Sequence, residues 1–129
     1  MLARRTLVLG TMLASTSLSP VRAQGKVTVI YVGGWDCPPC ITWKNQKKAE
    51  WLASPERSKV EYVEIESPKL REAYRDRYWP AALQPIRNRL PRQSGTPRFI
   101  VVKDGEIVGN EWGDGDWARA WSKIRAAVS

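Results

Sequence analysis

An α/β fold is what this sequence of 129 residues predicts, on three observations. Residues 27–32 read Val-Thr-Val-Ile-Tyr-Val, a nearly unbroken β-branched run of the kind found in a parallel strand buried on both faces. Near the other end, Asp104-Gly105 lies between the apolar runs 99–102 and 107–108, which is a strong hairpin signal. Beyond it, Trp117, Ala120, Trp121, Ile124 and Val128 recur at spacings of three and four, the signature of one apolar helix face.

Taken in order, the chain opens with a targeting segment. Residues 1–23 begin with Arg4-Arg5, continue through an uncharged run over 6–20, and end in Val21-Arg22-Ala23, the spacing signal peptidase reads. The run is too short and too rich in Ser and Thr to span a bilayer, which takes about 20 apolar residues. It is read as a secretory signal cleaved after Ala23. Arg4-Arg5 followed by Thr6-Leu7-Val8 resembles a twin-arginine signal, although Sec signals also carry paired basic residues. The remaining residues 24–129 form one domain. Gly33-Gly34 ends the first strand. A glycine-free stretch from 38 to about 53 comes next as a helix, with Pro38 and Pro39 confined to its first turn. A second strand covers 60–66. Ser67 is the expected cap, with Pro68 at the first helical position, of a helix over 69–78. Pro80, Pro85 and Pro91 break the stretch beyond that helix into short helical pieces. Two strands flank the Asp-Gly turn, and Asp116 caps the closing helix. The order is strand, helix, strand, helix, strand, strand, helix.

Composition narrows the chemistry. The chain has no histidine, which removes Ser-His and Cys-His nucleophile pairs, histidine bases and every histidine-containing metal site. With only two cysteines, a multi-bridge scaffold and a four-thiolate metal site within one chain are excluded as well. Arg4, Arg5 and Arg22 leave with the signal, so the mature domain holds 18 basic and 13 acidic residues, a net charge of +5 rather than +8. That moderate charge on an exported domain argues for solubility and partner electrostatics, not nucleic-acid binding. Export also puts the thiols in an oxidising compartment, the periplasm, where a disulfide persists.

The two cysteines stand together as Cys37-Pro38-Pro39-Cys40 at the junction of the first strand and first helix. With that placement, the segments VIYVGGWDCPPC (29–40), GTPRFIVVKDGEIVG (95–109) and the closing helix from Asp116 resemble the thioredoxin superfamily in a minimal, glutaredoxin-like form. The CPPC tetrapeptide alone is similar to the active site of the tryparedoxins. The resemblance implies a three-layer sandwich around a four-stranded mixed sheet (β-α-β-α-β-β-α) with an enlarged second helical segment. It also implies that Thr96-Pro97 is a cis-proline loop, whose Thr96 backbone stays free beside the cysteines to pair with an extended substrate segment. In the family a buried Asp six residues before the first cysteine helps deprotonate the resolving thiol. Here that position is Tyr31, so the carry-over fails; Asp36 and Glu64 are the carboxylates left to substitute, or else are simply solvated charges. Between 66 and 97 the chain has about a dozen residues more than thioredoxin's usual connection. Within it Lys69, Arg71, Arg75, Arg77, Arg87, Arg89 and Arg92 are set against Glu72 and Asp76. This insert is either a partner-recognition surface or a solvated basic face.

Residues i and i+3 share a helix face, so Cys37 and Cys40 can close a disulfide. Such a four-residue ring stabilises the fold by roughly 2 kcal/mol, against about 3 for a 15-residue loop, so the spacing suits a bond meant to be broken. A permanent local bridge and a metal shared between two chains are the alternatives. Cys37, at the helix N-terminus where the dipole favours a thiolate, is the expected exposed nucleophile. Cys40, one turn in, is the resolving thiol. Pro38 and Pro39 offer the sulfur no N–H, no histidine lies between the cysteines, and Asp36 adds a negative charge next door. Weak stabilisation of the thiolate favours a reductant over a strong oxidant with a potential near about −120 mV. Trp35 either covers the site or packs; with Thr96 and Pro97 it completes the substrate-binding set. Trp43, Trp51, Trp117 and Trp121 are read as core.

The function expected is therefore an exported thiol-disulfide oxidoreductase, monomeric, without metal or cofactor, and without nucleic-acid partner or membrane span after signal cleavage. It reduces disulfide-containing proteins and draws on an unidentified electron donor. A disulfide oxidant or isomerase, a non-catalytic binding module of the same fold, and a thiol-based copper carrier are the other readings.

Overall fold

The computed structural model describes residues 25–129, so the expected signal over 1–23 lies outside the described residues. Four strands form one open mixed sheet in the order β2-β1-β3-β4: β1 (Val27–Gly34), β2 (Glu61–Ser67), β3 (Arg98–Lys103) and β4 (Glu106–Trp112). β1 pairs parallel with β2 and antiparallel with β3, and β3 pairs antiparallel with β4. The two central strands are buried along nearly their whole length, as their unbroken apolar sequences require. Between β3 and β4 the Asp-Gly turn has positive φ at both Asp104 (52°) and Gly105 (82°), the two-residue geometry that suits the twist of a hairpin.

Alternation along the strands builds two cores. Val29 and Tyr31 of β1 and Phe99 and Val101 of β3 face α1 (Pro38–Gln46), α2 (Lys48–Leu52) and α4 (Trp117–Val128), where Trp43, Trp51, Trp117 and Trp121 pack as expected. Ring centroids in this cluster lie 4.8 to 6.0 Å apart, mostly tilted or edge to face. On the other face Ile30, Val32, Ile65 and Ile100 meet Ala73, Tyr74, Trp79, Ile86 and Leu90 of the segment before β3. The three layers result from this division. No helix among the described residues is long and apolar enough to cross a membrane.

Three local expectations are corrected. The helix over 38–53 breaks at Lys47 into α1 and α2. Trp43 and Trp51 are eight residues apart, so a straight helix would point them about 80° away from each other; the break turns both fully buried indoles into one core. The helix over 69–78 does not form. Ser67 ends β2, and 3₁₀ turns over 70–72, 76–78 and 81–83 lead into the short α3 (Gln84–Asn88). Side chains take the carbonyls a helix would need: the Trp79 indole donates to Ala73 O (2.8 Å) and Arg87 Nη1 to Tyr74 O (3.1 Å). At the closing helix, Asp116 stands at the N-cap, but its side chain makes no capping bond and instead faces Arg119 at 3.6 Å.

Candidate active site: a dithiol at a helix start

The sheet topology brings the sequence-distant pieces together. Since β3 runs antiparallel to β1, with Arg98 opposite Val32, the residues entering β3 lie beside the residues leaving β1. The leaving segment is pinned at each step. Trp35 N donates to Ser67 O (2.9 Å), and the Asp36 carboxylate accepts from Leu70 N (2.7 Å). Gly34 is needed for this approach, because a Cβ there would lie 2.6 Å from Leu70 Cα.

Cys37 is then the N-cap of α1, with extended backbone (φ −116°, ψ 101°) and prolines in the first turn. Its Sγ accepts from Cys40 N at 3.2 Å, so the sulfur takes the place of the usual capping oxygen. Cys37 and Cys40 are joined as a disulfide with Cα atoms 5.2 Å apart. Across the site the Thr96-Pro97 bond is cis, and Thr96 Oγ1 donates to Cys37 Sγ at 3.3 Å. The Thr96 hydroxyl is thus a second donor to the sulfur, beside the Cys40 amide, and no local pattern in the sequence marks it. The Thr96 N–H and C=O form no hydrogen bond among the described residues.

Exposure corrects one expectation. Cys37 is only 1% exposed in the disulfide and Cys40 0%, so the nucleophile is not surface-exposed in this state. Thr96 and the Cys40 amide both lie against its sulfur. Trp35 is 65% exposed and stands on the rim together with exposed Pro38, Pro39, Ile41 and Leu70.

Tyr31, at the position where thioredoxins carry a buried Asp, is fully buried and stacks on Trp43 at 4.8 Å, while its hydroxyl has no partner among the described residues. Burial, with Glu64 adding repulsion, pushes its ionisation far above the usual phenol range, so it does not act as a base. The two candidate substitutes are engaged elsewhere: Asp36 holds Leu70 N, and Glu64 accepts from Tyr62 Oη (2.6 Å) and pairs with Lys48 (2.7 Å). Burial raises Glu64, but the Lys48 and Tyr62 hydrogen bonds outweigh it and hold the carboxyl below its ordinary value. Beside it Lys44 pairs with Glu66, and burial lowers the Lys44 ammonium.

No family model matches the chain, and no curated protein sequence matches it. Solved structures do. The periplasmic thioredoxin SoxS of Paracoccus pantotrophus is similar at TM-score 0.57 and 18% identity, over 79% of this chain and 99% of that one. The chain has the thioredoxin fold. Thioredoxin f of spinach chloroplast matches this fold at TM-score 0.56 and 17% identity, over 83% and 80% of the two chains. A Schistosoma mansoni thioredoxin pre-protein matches at TM-score 0.52 and 24% identity, over 82% and 83%. In the thioredoxin fold of this chain the CPPC pair lies at the start of α1, facing the cis-proline loop.

Proposed function

We propose that the protein is an exported thiol-disulfide oxidoreductase that reduces disulfides in extracytoplasmic protein partners through Cys37 and Cys40. The observation that carries this reading is the Cys37–Cys40 pair at the N-terminus of α1 with Thr96 Oγ1 on its first sulfur. In the reduced protein the Cys37 thiolate attacks one sulfur of a partner disulfide, forming a mixed disulfide and expelling the other partner sulfur as thiolate. Cys40 gives up its proton and attacks Cys37 Sγ, which releases the second partner sulfur and leaves Cys37–Cys40 oxidised. Two electrons have passed to the partner, and a dithiol donor returns them by the same exchange in reverse. Thr96, held beside the sulfurs by its cis bond to Pro97, offers a free backbone N–H and C=O for an extended partner segment, and Trp35 offers an exposed indole at the rim. With Tyr31 and Glu64 unsuited as bases, the Cys40 proton leaves to solvent or to the departing thiolate.

Export rests on residues 1–23, and the periplasmic thioredoxin among the similar structures is consistent with it. A Cys40→Ser variant expressed with its full N-terminus tests both claims together. It is expected to accumulate mixed disulfides on Cys37 in the periplasm, in a chain whose N-terminus is Gln24. A cytoplasmic, uncleaved chain contradicts export, and an absence of trapped partners contradicts the exchange.

A second reading is a binding module with an inert disulfide, favoured by the burial of both cysteines. It predicts no catalysis of protein-disulfide reduction and no effect of replacing Cys37.

A further inference from the structure

The loop over 91–96, which brings Thr96 to the disulfide, forms no backbone–backbone hydrogen bond among the described residues. Side chains take its carbonyls instead. Arg98 Nη1 donates to Arg92 O, Trp112 Nε1 to Ser94 O (3.1 Å) and Tyr74 Oη to Gly95 O (2.6 Å). These donors come from the start of β3, the end of β4 and the insert. They also form one stack: the Arg98 guanidinium lies 4.1 Å from the Trp112 ring centroid and 5.5 Å from that of Tyr74. Arg98 Nη1 reaches Tyr74 Oη at 3.3 Å, and Nε donates to Asn110 Oδ1 at 2.8 Å. Gly95 has φ +97°, and a Cβ there would lie 2.7 Å from Trp112 Cδ1, so only glycine lets the loop lie on that ring.

Arg98 is 0% exposed, has no carboxylate partner among the described residues, and leaves Nη2 without an acceptor. A buried cation without a counter-charge is a costly way to fill space between Ile100 and the insert, since an apolar side chain would do so without the desolvation penalty. What an apolar side chain would not do is hold three oxygens in a fixed plane.

We propose that Arg98, Tyr74 and Trp112 form a clamp that sets the direction of the Thr96 backbone toward a bound partner segment. The insert that carries Tyr74 thereby acts on substrate selection through the loop. These are positioning residues: none touches the sulfurs. The proposal rests on the reading that Thr96 receives protein disulfides.

The test is steady-state reduction of insulin with dithiothreitol as donor. Tyr74→Phe deletes one hydroxyl and leaves the exposed Gly95 carbonyl free to turn to water. The expected result is a KM for insulin raised about tenfold, the worth of the bond to Gly95 O, with kcat within about twofold, in a protein that stays folded at the assay temperature although its melting temperature falls by a few degrees because buried Arg98 Nη1 loses an acceptor. Arg98→Lys keeps the charge but not the planar fork and is expected to raise KM likewise; should it fail to fold, Tyr74→Phe decides alone. A wild-type KM in folded Tyr74→Phe, or a loss confined to kcat, overturns the clamp. A wild-type chain that does not reduce insulin overturns the underlying reading, and the clamp's role falls with it.

Discussion

At Tyr31 a phenol hydroxyl is buried with no partner among the described residues, at the position where thioredoxins carry an Asp. An unpaired buried hydroxyl costs on the order of 1–3 kcal/mol, while the ring's stacking on Trp43 needs no oxygen. Tyr31→Phe is therefore expected to stabilise the protein by about 1 kcal/mol, raising the melting temperature by a few degrees, with protein-disulfide turnover unchanged. A drop in turnover would give the hydroxyl a part in proton transfer that its raised ionisation argues against. Glu64 offers a pH test. Its carboxyl is held below its ordinary value of 4.5, so the folded state binds the proton less readily than the unfolded chain. Its contribution is complete above about that ordinary value and is lost as pH falls through the lower, folded-state value. Glu64→Gln is expected to flatten the acid limb of a stability-against-pH curve from urea unfolding; an unaltered limb would show that the Lys48 and Tyr62 contacts carry no linkage. Neither residue's role is legible in the sequence, because each depends on which neighbours the sheet supplies. The burial of Cys37 is hidden for the same reason, since Thr96 is 59 positions away.

Among the elements, those encoded by local pattern can be read directly. The β-branched run forms β1, Asp104-Gly105 forms the β3–β4 turn, and the apolar stripe of α4 buries Trp117, Ala120, Trp121 and Ile124. The insert has a helix-like start signal at Ser67-Pro68 but no helix over 69–78, because its conformation is decided by non-local donors: the Trp79 indole and the Arg87 guanidinium occupy carbonyls that helical amides would otherwise use. Segments held by side chains and short 3₁₀ turns open more readily than a paired sheet. Native-state hydrogen exchange is expected to be about a hundredfold or more faster over 70–83 than in β1 and β3. Equal protection would mean that the insert and the sheet unfold as one unit. Arg98 shows a different limit: one charge before the apolar run 99–102 is visible in the sequence, yet besides the Arg92 carbonyl just upstream the groups that explain it, the rings of Tyr74 and Trp112, come from two distant segments.

For the molecule as a whole, the described residues place one cysteine pair between a helix start and a cis-proline loop, on a scaffold similar to thioredoxins. The complete absence of histidine leaves the Cys40 amide and the Thr96 hydroxyl as the donors at Cys37 Sγ. Such modest support for the thiolate is the ground on which the proposed function takes reduction of partners over their oxidation. The competing molecule is the same fold with a closed, inert bridge under Thr96. Insulin reduction by dithiothreitol, followed as precipitation of the freed B chain, separates the two most directly. If the dithiol is redox-active, catalytic amounts of the wild-type protein speed the reaction well above dithiothreitol alone and Cys37→Ser returns it to that background; a wild-type rate no faster than background would contradict the assignment.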